Sequence, residues 1–505
     1  MDSKHWIAQT PMGRESLSKG IEGVVDWAQS YLESLETRDV SPAVEWGEVL
    51  AGLDASPPES GLGADSITGL IEQADREFVD RLVHWNSPRF FAFFPCSNSV
   101  PAILGELMSA VLNVNGMLWS TSPACTELEV RVMDWCAELF GLDDAFAFSR
   151  STNGGGCIQG TASEAVLAAL VAARRQCTKR GVDRSKVTVY TSDQAHSSVV
   201  KAAMVAGLAD DADDKSRVRV LETDADLRID PAVLERVMRE DIEAGLVPAM
   251  VVATIGSTST GAVDPVGAIS DVMDRVKVDG HRCWLHLDAA WAGAASVCPE
   301  FRGMMDGHDR ADSICINPHK WLLTNFDCDL FWVRDHRVLT ESMSIQPAYL
   351  KNKASETSGV VDYRDWHVPL GRKMRALKLW MVIRCFGVEG LRSHIRGHVE
   401  LASVVERWVV DDPRVELACD RMLGLVCLTV VGDLGLTKRL VDDVNARGRV
   451  LITHSVVPLG DDGAGGRQMR SIARVSVGSP GVAREDIEVL LSEIGLWLDR
   501  EVGER

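Results

Sequence analysis

The feature that most constrains this chain is a series of short apolar runs separated by helix-length segments. Residues 187–191 (VTVYT), 249–254 (AMVVAT), 283–287 (CWLHL), 313–316 (SICI) and 329–333 (DLFWV) are rich in β-branched and aromatic side chains. Their near-continuous apolar character argues for strands buried on both faces. The spacers between the earlier runs are long enough for crossover helices, which predicts an α/β domain around a mainly parallel sheet. On the N-terminal side, residues 14–35 read as an amphipathic helix, with Ile21, Val24, Val25, Ala28, Tyr31 and Leu32 at helical spacing. Residues 55–65 (ASPPESGLGAD) read as a linker, 66–82 as a second helix, and Ser87-Pro88 as its end. From about residue 370 long helical segments return, followed by strand-like stretches at 424–430 and 472–477. The expected organisation is an N-terminal helical segment (1–98), a large domain (99–390) and a small α+β domain (391–505).

Charge narrows the partners. With 53 basic against 73 acidic residues, the formal net charge is -20, a field that repels nucleic acid and anionic membrane surfaces. No run approaches the ~18 apolar residues that cross a bilayer, and the first residues carry no apolar core of a secretory signal. The 12 cysteines include no C-x-x-C pair, the closest two being Cys419 and Cys427. A zinc ribbon is therefore unsupported, and reduced thiols in a cytoplasmic protein are expected.

In an open α/β sheet, ligands gather beyond the C-terminal ends of the strands. The run CWLHL leads into Asp288, SICI into Asn317-Pro318-His319-Lys320, and VTVYT into a turn ending at His196. A fourth element joins them. Gly154–Gly156 lead through Gly160 to Thr161, Ala162, Ser163 and Glu164, which open a strongly helical run. Thr161 and Glu164 have the spacing of a capping box, and a helix N-terminus bearing two hydroxyls suits a phosphate. The segment lacks a G-x-x-x-x-G-K-[ST] pattern, which disfavours a nucleoside triphosphate. Singly, such a lysine is usually a surface residue, such an aspartate a turn cap, and such a histidine a local hydrogen-bonding group. Together they match what pyridoxal 5'-phosphate (PLP) demands: a lysine for its aldehyde, an acid for its pyridine nitrogen, a flat side chain for its ring and a cradle for its phosphate. His394 and His398 have the spacing of a two-histidine metal face but lack the glutamate of H-E-x-x-H; a solvated helix face is expected, with no metal.

The segments HLDAAWAG, NPHKWLLTNFDCDLFWV, SDQAHSSV, GGGCIQGTASEA and SPACTELE resemble the group II PLP-dependent decarboxylases, and most of all the aromatic L-amino-acid decarboxylases. The similarity runs from about residue 24 and fades after about 430. It implies the aspartate aminotransferase-like PLP fold (fold type I), with Lys320 holding the cofactor covalently and Asp288 paired to the pyridine nitrogen. His196 and Ala290 would cover the two ring faces. Thr161, Ala162 and Ser163 would hold the phosphate with Asn317 and His319, and Thr258 would lie near the lysine. The resemblance places Tyr349 on a loop closing over the partner subunit's site, where it would return a proton to the substrate carbon after CO2 leaves. Relatives with Phe there, or Asn in place of His196, tend to be aldehyde synthases. This chain keeps both Tyr349 and His196.

The substrate pocket implied by the same resemblance comprises Trp85, Phe93, Phe94, Pro95, Asn115, Met117 and Gly371. It is mostly apolar, and Gly371 tips the expectation toward an indole or DOPA. The implied activity is decarboxylation of tryptophan, 5-hydroxytryptophan, DOPA or tyrosine by a homodimer with shared active sites. The alternatives are an aromatic acetaldehyde synthase and a PLP-binding protein without catalysis.

Overall fold

Helices bring the chain to its main sheet in the computed structural model, which describes residues 14–60, 66–345, 360–461 and 467–503. Helices α1 (Arg14–Ser34) and α2 (Ile67–Phe78) pack on each other, and Trp27 Nε1 donates to Asp75 Oδ1 across them at 2.7 Å. In α3 (Val100–Leu112) a proline occupies the first turn, where its missing N–H costs nothing. Gly105 lets α3 press against the long helix that starts at Ala376: a Cβ there would lie 2.5 Å from Lys378 Cα. The opposite side of α3 leaves Ile103, Leu104, Leu107, Met108 and Val111 exposed.

The main sheet has seven strands: β1 (Gly155–Gln159), β2 (Val187–Ser192), β3 (Val218–Leu221), β4 (Val247–Thr254), β5 (Trp284–Asp288), β6 (Ser313–Ile316) and β7 (Asp329–Val333), in the order β1-β7-β6-β5-β4-β2-β3. From β3 to β6 all neighbours are parallel, while β7 runs antiparallel to both its neighbours, β6 and the edge strand β1. The five apolar runs are all strands. β1 and β3 carry no such signal, because β1 is glycine-rich and β3 is short and only half-buried. The glycines before and within β1 serve packing. A Cβ on Gly154 would fall 1.7 Å from Ala145 O, and one on Gly156 would meet Met133 Cε at 2.4 Å.

Helix α4 (Ala162–Lys179) lies on the sheet through Ala165, Ala168, Ala169, Ala172 and Ala173, all buried. Small side chains allow that close approach, and enlarging one costs about 1–3 kcal/mol. Helix α5 (Ala376–Asp411) bends at Gly387 (φ 62°) and runs through the domain boundary expected between residues 390 and 391. Beyond it, β8 (Val415–Leu417), β9 (Leu425–Val430), β10 (Thr453–Asp461) and β11 (Arg467–Ser476) form an antiparallel sheet, ordered β10-β11-β9-β8, over a separate core containing Leu428, Val475 and Trp497.

His394 and His398 are not a solvated face. His398 is buried and accepts the Trp321 Nε1 proton at 2.8 Å, and the two imidazoles lie 4.3 Å apart. Burial holds His394 down at about 4, so both rings are neutral packing elements under the Lys320 turn. None of the described helices is long and apolar enough to cross a membrane.

Candidate active site

Beyond the C-terminal ends of β4, β5 and β6, beside the N-terminus of α4, lies a cavity of 190 Å³. Thr161, Ala162 and Ser163 line it from α4, and His196 from the turn after β2. Thr258 lines it from the loop after β4, Asp288 and Ala290 from the end of β5, and Asn317, His319 and Lys320 from the turn after β6. That turn is fixed by the backbone: the Asn317 N–H donates to Ala290 O at 3.0 Å, and the Lys320 N–H to Asn317 O at 3.0 Å.

Each titratable group is tuned by its place. Burial lowers the basicity of the Lys320 amine, and the Asp288 carboxylate works against that. A lysine with more free amine at neutral pH is a better nucleophile toward a carbonyl. Asp288 is buried at the strand end, with Oδ1 accepting the Ala290 N–H at 3.1 Å. Below it, His286 is wholly buried, contacts Ser313 Oγ at 2.8 Å and is held down at about 4 by desolvation. His319 is held at about 3, first by burial and then by the Lys320 charge; its Nδ1 lies 3.0 Å from the Cys328 nitrogen. His196 sits exposed at the cavity mouth, its Nδ1 accepting the Ser198 N–H at 3.2 Å. Desolvation of its inner edge lowers its pKa, so the flat ring is neutral at pH 7.

The expected capping box does not form. The Thr161 hydroxyl makes no cap bond, and Glu164 reaches one residue further back, accepting the Gly160 N–H at 2.9 Å. The Thr161 hydroxyl, which lines the cavity, is thus left without a role in closing the helix. Two further side-chain oxygens of cavity residues, Asn317 Oδ1 and Thr254 Oγ1, are buried with no hydrogen-bond partner. An amine, a buried carboxylate, unpartnered polar atoms and a helix N-terminus around one small cleft fit PLP. Lys320 would hold its aldehyde carbon, Asp288 its pyridine nitrogen, and the start of α4 its phosphate.

Sequence reasoning missed Thr254, Gly256, Trp291 and Phe326, which also line the cavity. Trp291 was within reach, standing three residues after Asp288; its ring stacks on Phe94 at 4.2 Å. Also missed was Asp329, the acid that opens an otherwise apolar run. It is wholly buried, neither carboxylate oxygen has a hydrogen-bond partner, and burial, with the nearby Asp288 and Glu164 charges, pushes its pKa well up.

The residues expected at the substrate pocket fall into two groups. Phe94 lines the cavity, with Lys320 Nζ 5.6 Å from its ring centre and the Arg474 guanidinium at 5.2 Å. Pro95 is buried just beyond it, and Trp85 and Phe93 stack on each other at 5.6 Å with 38% and 54% of their surface exposed. Asn115, Met117 and Gly371 form the second group, and none of them lines the cavity. Asn115 Oδ1 accepts the Arg372 N–H at 3.1 Å, a Cβ on Gly371 would lie 3.6 Å from Asn115 Nδ2, and Met117 O accepts the Arg364 N–H. Tyr349 lies outside the described residues.

Known proteins decide the family. Residues 49–431 match the model of the pyridoxal-dependent decarboxylase conserved domain. The chain belongs to that family. Tryptophan decarboxylase 2 of Oryza sativa subsp. japonica is 39% identical over 463 residues, 90% of each chain. Phenylacetaldehyde synthase of Arabidopsis thaliana is 40% identical over 460 residues, covering 88% of this chain and 90% of that one. The crystal structure of Oryza sativa TDC with PLP and tryptamine superposes with a TM-score of 0.89 at 38% identity, over 97% of this chain and 98% of that one. This PLP-dependent carboxy-lyase thus has the fold and cofactor of the aromatic amino-acid decarboxylase group.

Proposed function

We propose that this enzyme decarboxylates an aromatic L-amino acid of the tryptophan or DOPA type, giving the arylalkylamine and CO2, as a homodimer that shares its active sites. One observation carries the reading. The wall beside Lys320 is the Phe94–Trp291 stack, and among the cavity's described lining residues Lys320 is the only Lys or Arg. A flat apolar wall accepts an aromatic ring, whereas an acidic side chain would need a second cation. Arg474 is engaged by Ser259 O, Thr453 Oγ1 and Phe93 O.

PLP, when bound, accepts the electron pair released as the bond to the substrate carboxylate breaks. The protein supplies the rest. With PLP bound, Lys320 would hold the cofactor carbon, Asp288 would keep a proton at the ring nitrogen, and neutral His196 and Ala290 would flank the ring. Phe94 and Trp291 exclude water from one side of the reacting carbon. Tyr349 delivers the proton that replaces CO2.

The exposed apolar side of α3 and the exposed Trp85–Phe93 stack support a second copy as the cover of the substrate side. The Asn115–Gly371 group would then face the partner's cleft.

The deciding experiment supplies single amino acids to the PLP-loaded enzyme and measures amine, CO2, aldehyde and peroxide together. Amine and CO2 in equal amounts from tryptophan or DOPA are expected; aldehyde and peroxide as main products would move the enzyme to the synthase reaction. The synthase reading is supported by the 40% identity to phenylacetaldehyde synthase. Tyr349→Phe is expected to shift products in that direction.

A further inference from the structure

We propose that His286 and Cys315 are positioning residues for Asp288. They complete a one-way chain of hydrogen bonds, Trp284 to Ser313 to His286 to Cys315 to Asp288, which leaves the shared proton on the ring nitrogen of the cofactor. The proposal deepens the reading of Asp288 as the partner of that nitrogen and rests on it.

The sheet sets the chain up. Trp284, His286 and Asp288 alternate onto one face of β5, and the register places Ser313 beside His286 and Cys315 beside Asp288 on the parallel strand β6. All five side chains are buried. Trp284 Nε1 donates to Ser313 Oγ at 2.7 Å, and Ser313 Oγ lies 2.8 Å from His286 Nδ1. On the far side of the imidazole, Nε2 lies 3.8 Å from Cys315 Sγ, and that sulfur lies 3.9 Å from Asp288 Oδ1. Both separations suit the larger radius of sulfur.

The direction follows from counting protons. An indole N–H only donates and an ionised carboxylate only accepts, so the two ends are fixed. Among the described residues, Ser313 Oγ bonds only Trp284 and His286. With one lone pair filled by Trp284, its own proton needs an acceptor, and His286 Nδ1 is the one in reach. The imidazole proton then sits on Nε2 and points at Cys315 Sγ, which frees the Cys315 S–H for Asp288. The opposite tautomer would strand the Ser313 proton and turn the thiol away from the carboxylate, a costly arrangement in a buried site. Every link stays neutral: desolvation holds His286 at about 4, and burial pushes the Cys315 thiol well up.

Such a chain has a chemical purpose. Asp288 Oδ1 already accepts the Ala290 N–H at 3.1 Å. A second donor there makes the carboxylate a weaker base toward the pyridine nitrogen, so the proton between them stays on the ring, where it draws electrons. Sulfur donors are weak singly, but in a low-dielectric interior each bond polarises the next. Lys320, His196 and Asp329 also act on Asp288, through space. The chain differs from them in supplying a hydrogen bond, and packing alone would need no fixed direction.

The test reloads full-length enzyme with PLP carrying nitrogen-15 in its ring and reads that resonance by NMR, beside kcat and KM. Cys315→Ala, which removes a single heavy atom, should move the resonance downfield, toward an unprotonated ring, and lower kcat about tenfold at unchanged KM. His286→Leu should do the same. His286→Gln should restore both values, because its amide can accept from Ser313 and donate to Cys315. A resonance that stays in place in Cys315→Ala and His286→Leu, while Asp288→Asn moves it, overturns the chain and leaves Asp288 its role. A resonance unmoved even in Asp288→Asn overturns the reading of Asp288 itself. His286→Gln behaving like His286→Leu overturns the one-way order. Should His286→Leu fail to fold, Cys315→Ala decides, with its melting temperature as the check that the fold survives.

Discussion

The two halves of the active site are built on opposite principles. On the cofactor side, Asp288, Asn317 and His319 are buried at or just after the ends of β5 and β6, with His196 exposed at the cavity mouth. On the proposed substrate side, Trp85, Phe93, Asn115 and Gly371 are all exposed in a single chain. Chemistry that must hold a charged ring in register needs groups fixed by a continuous ladder of hydrogen bonds. Recognition of a side chain has no such need and is left to surfaces that another element can cover. Substitutions in the first half should therefore destroy the reaction, and those in the second should redirect it.

Lys320→Ala gives the largest effect. The visible absorbance of the bound cofactor should disappear, and kcat should fall by at least about a thousandfold, the scale for losing a covalent catalytic group. Trp85→Ala, by contrast, should keep the absorbance and raise KM. If it abolished cofactor absorbance, the division between halves would fail.

The joint between the halves comes next. Arg372 and Glu129 form a fully buried two-pronged pair, at 2.7 and 2.9 Å, and Arg372 also donates to Ile158 O on β1 at 2.8 Å. The same residue's backbone is held by Asn115 and follows Gly371. Arg372→Ala strands a buried carboxylate and should cost about 3–5 kcal/mol of stability. Thermal unfolding of the variant measures that directly. Glu129→Gln and Arg372→Met combined should recover part of it, because the stranded charge is gone.

The same contrast explains which residues are legible in the sequence. Strand ends are set by hydrophobic runs and turn residues close in sequence, so Asp288, His196 and the Lys320 turn can be placed from sequence alone. The capping geometry at Thr161 defeats that reading because Glu164 has an alternative donor, Gly160 N–H, one residue earlier. The glycines at 154–156 look like a phosphate loop, yet their purpose is contact with Ala145 and Met133, partners remote from the α4 turn they precede. His394 and His398 look solvated because helical spacing does not say which face a neighbouring Trp321 will cover. The substrate residues emerge only through family resemblance, since nothing local ties Asn115 to Gly371.

Selectivity should respond more gently. A Cβ at Gly371 has room, with Asn115 Nδ2 at 3.6 Å. Gly371→Ser should therefore fold normally and shift the ratio of kcat/KM between tryptophan and tyrosine by about tenfold, within the ~1–3 kcal/mol that one small group decides in a pocket. An unchanged ratio would remove Gly371 from the substrate side.

The smallest effect tests the buried half against itself. Asp329 opens β7 opposite Gln159 of β1, and Gln159 Oε1 is also buried without a donor. Directly paired residues on one face of an antiparallel ladder lie within side-chain reach, so a proton on Asp329 serves both orphaned groups at once. Its folded pKa is raised above the unfolded value, chiefly by burial. The folded chain therefore holds a proton that the unfolded chain gives up, and stability declines as pH rises from the unfolded pKa of about 3.9 through the folded one. Asp329→Asn cannot lose that proton and keeps a donor for Gln159. Compared with the unsubstituted enzyme, its melting temperature should differ little near pH 4 and become higher by about one degree as pH increases, the shift that ~1 kcal/mol gives in a chain of this length. Parallel melting curves at every pH would mean that Asp329 is already ionised in the folded protein, with a partner supplied by the bound cofactor. Repeating the titration without PLP separates those two states, because only the second depends on the cofactor.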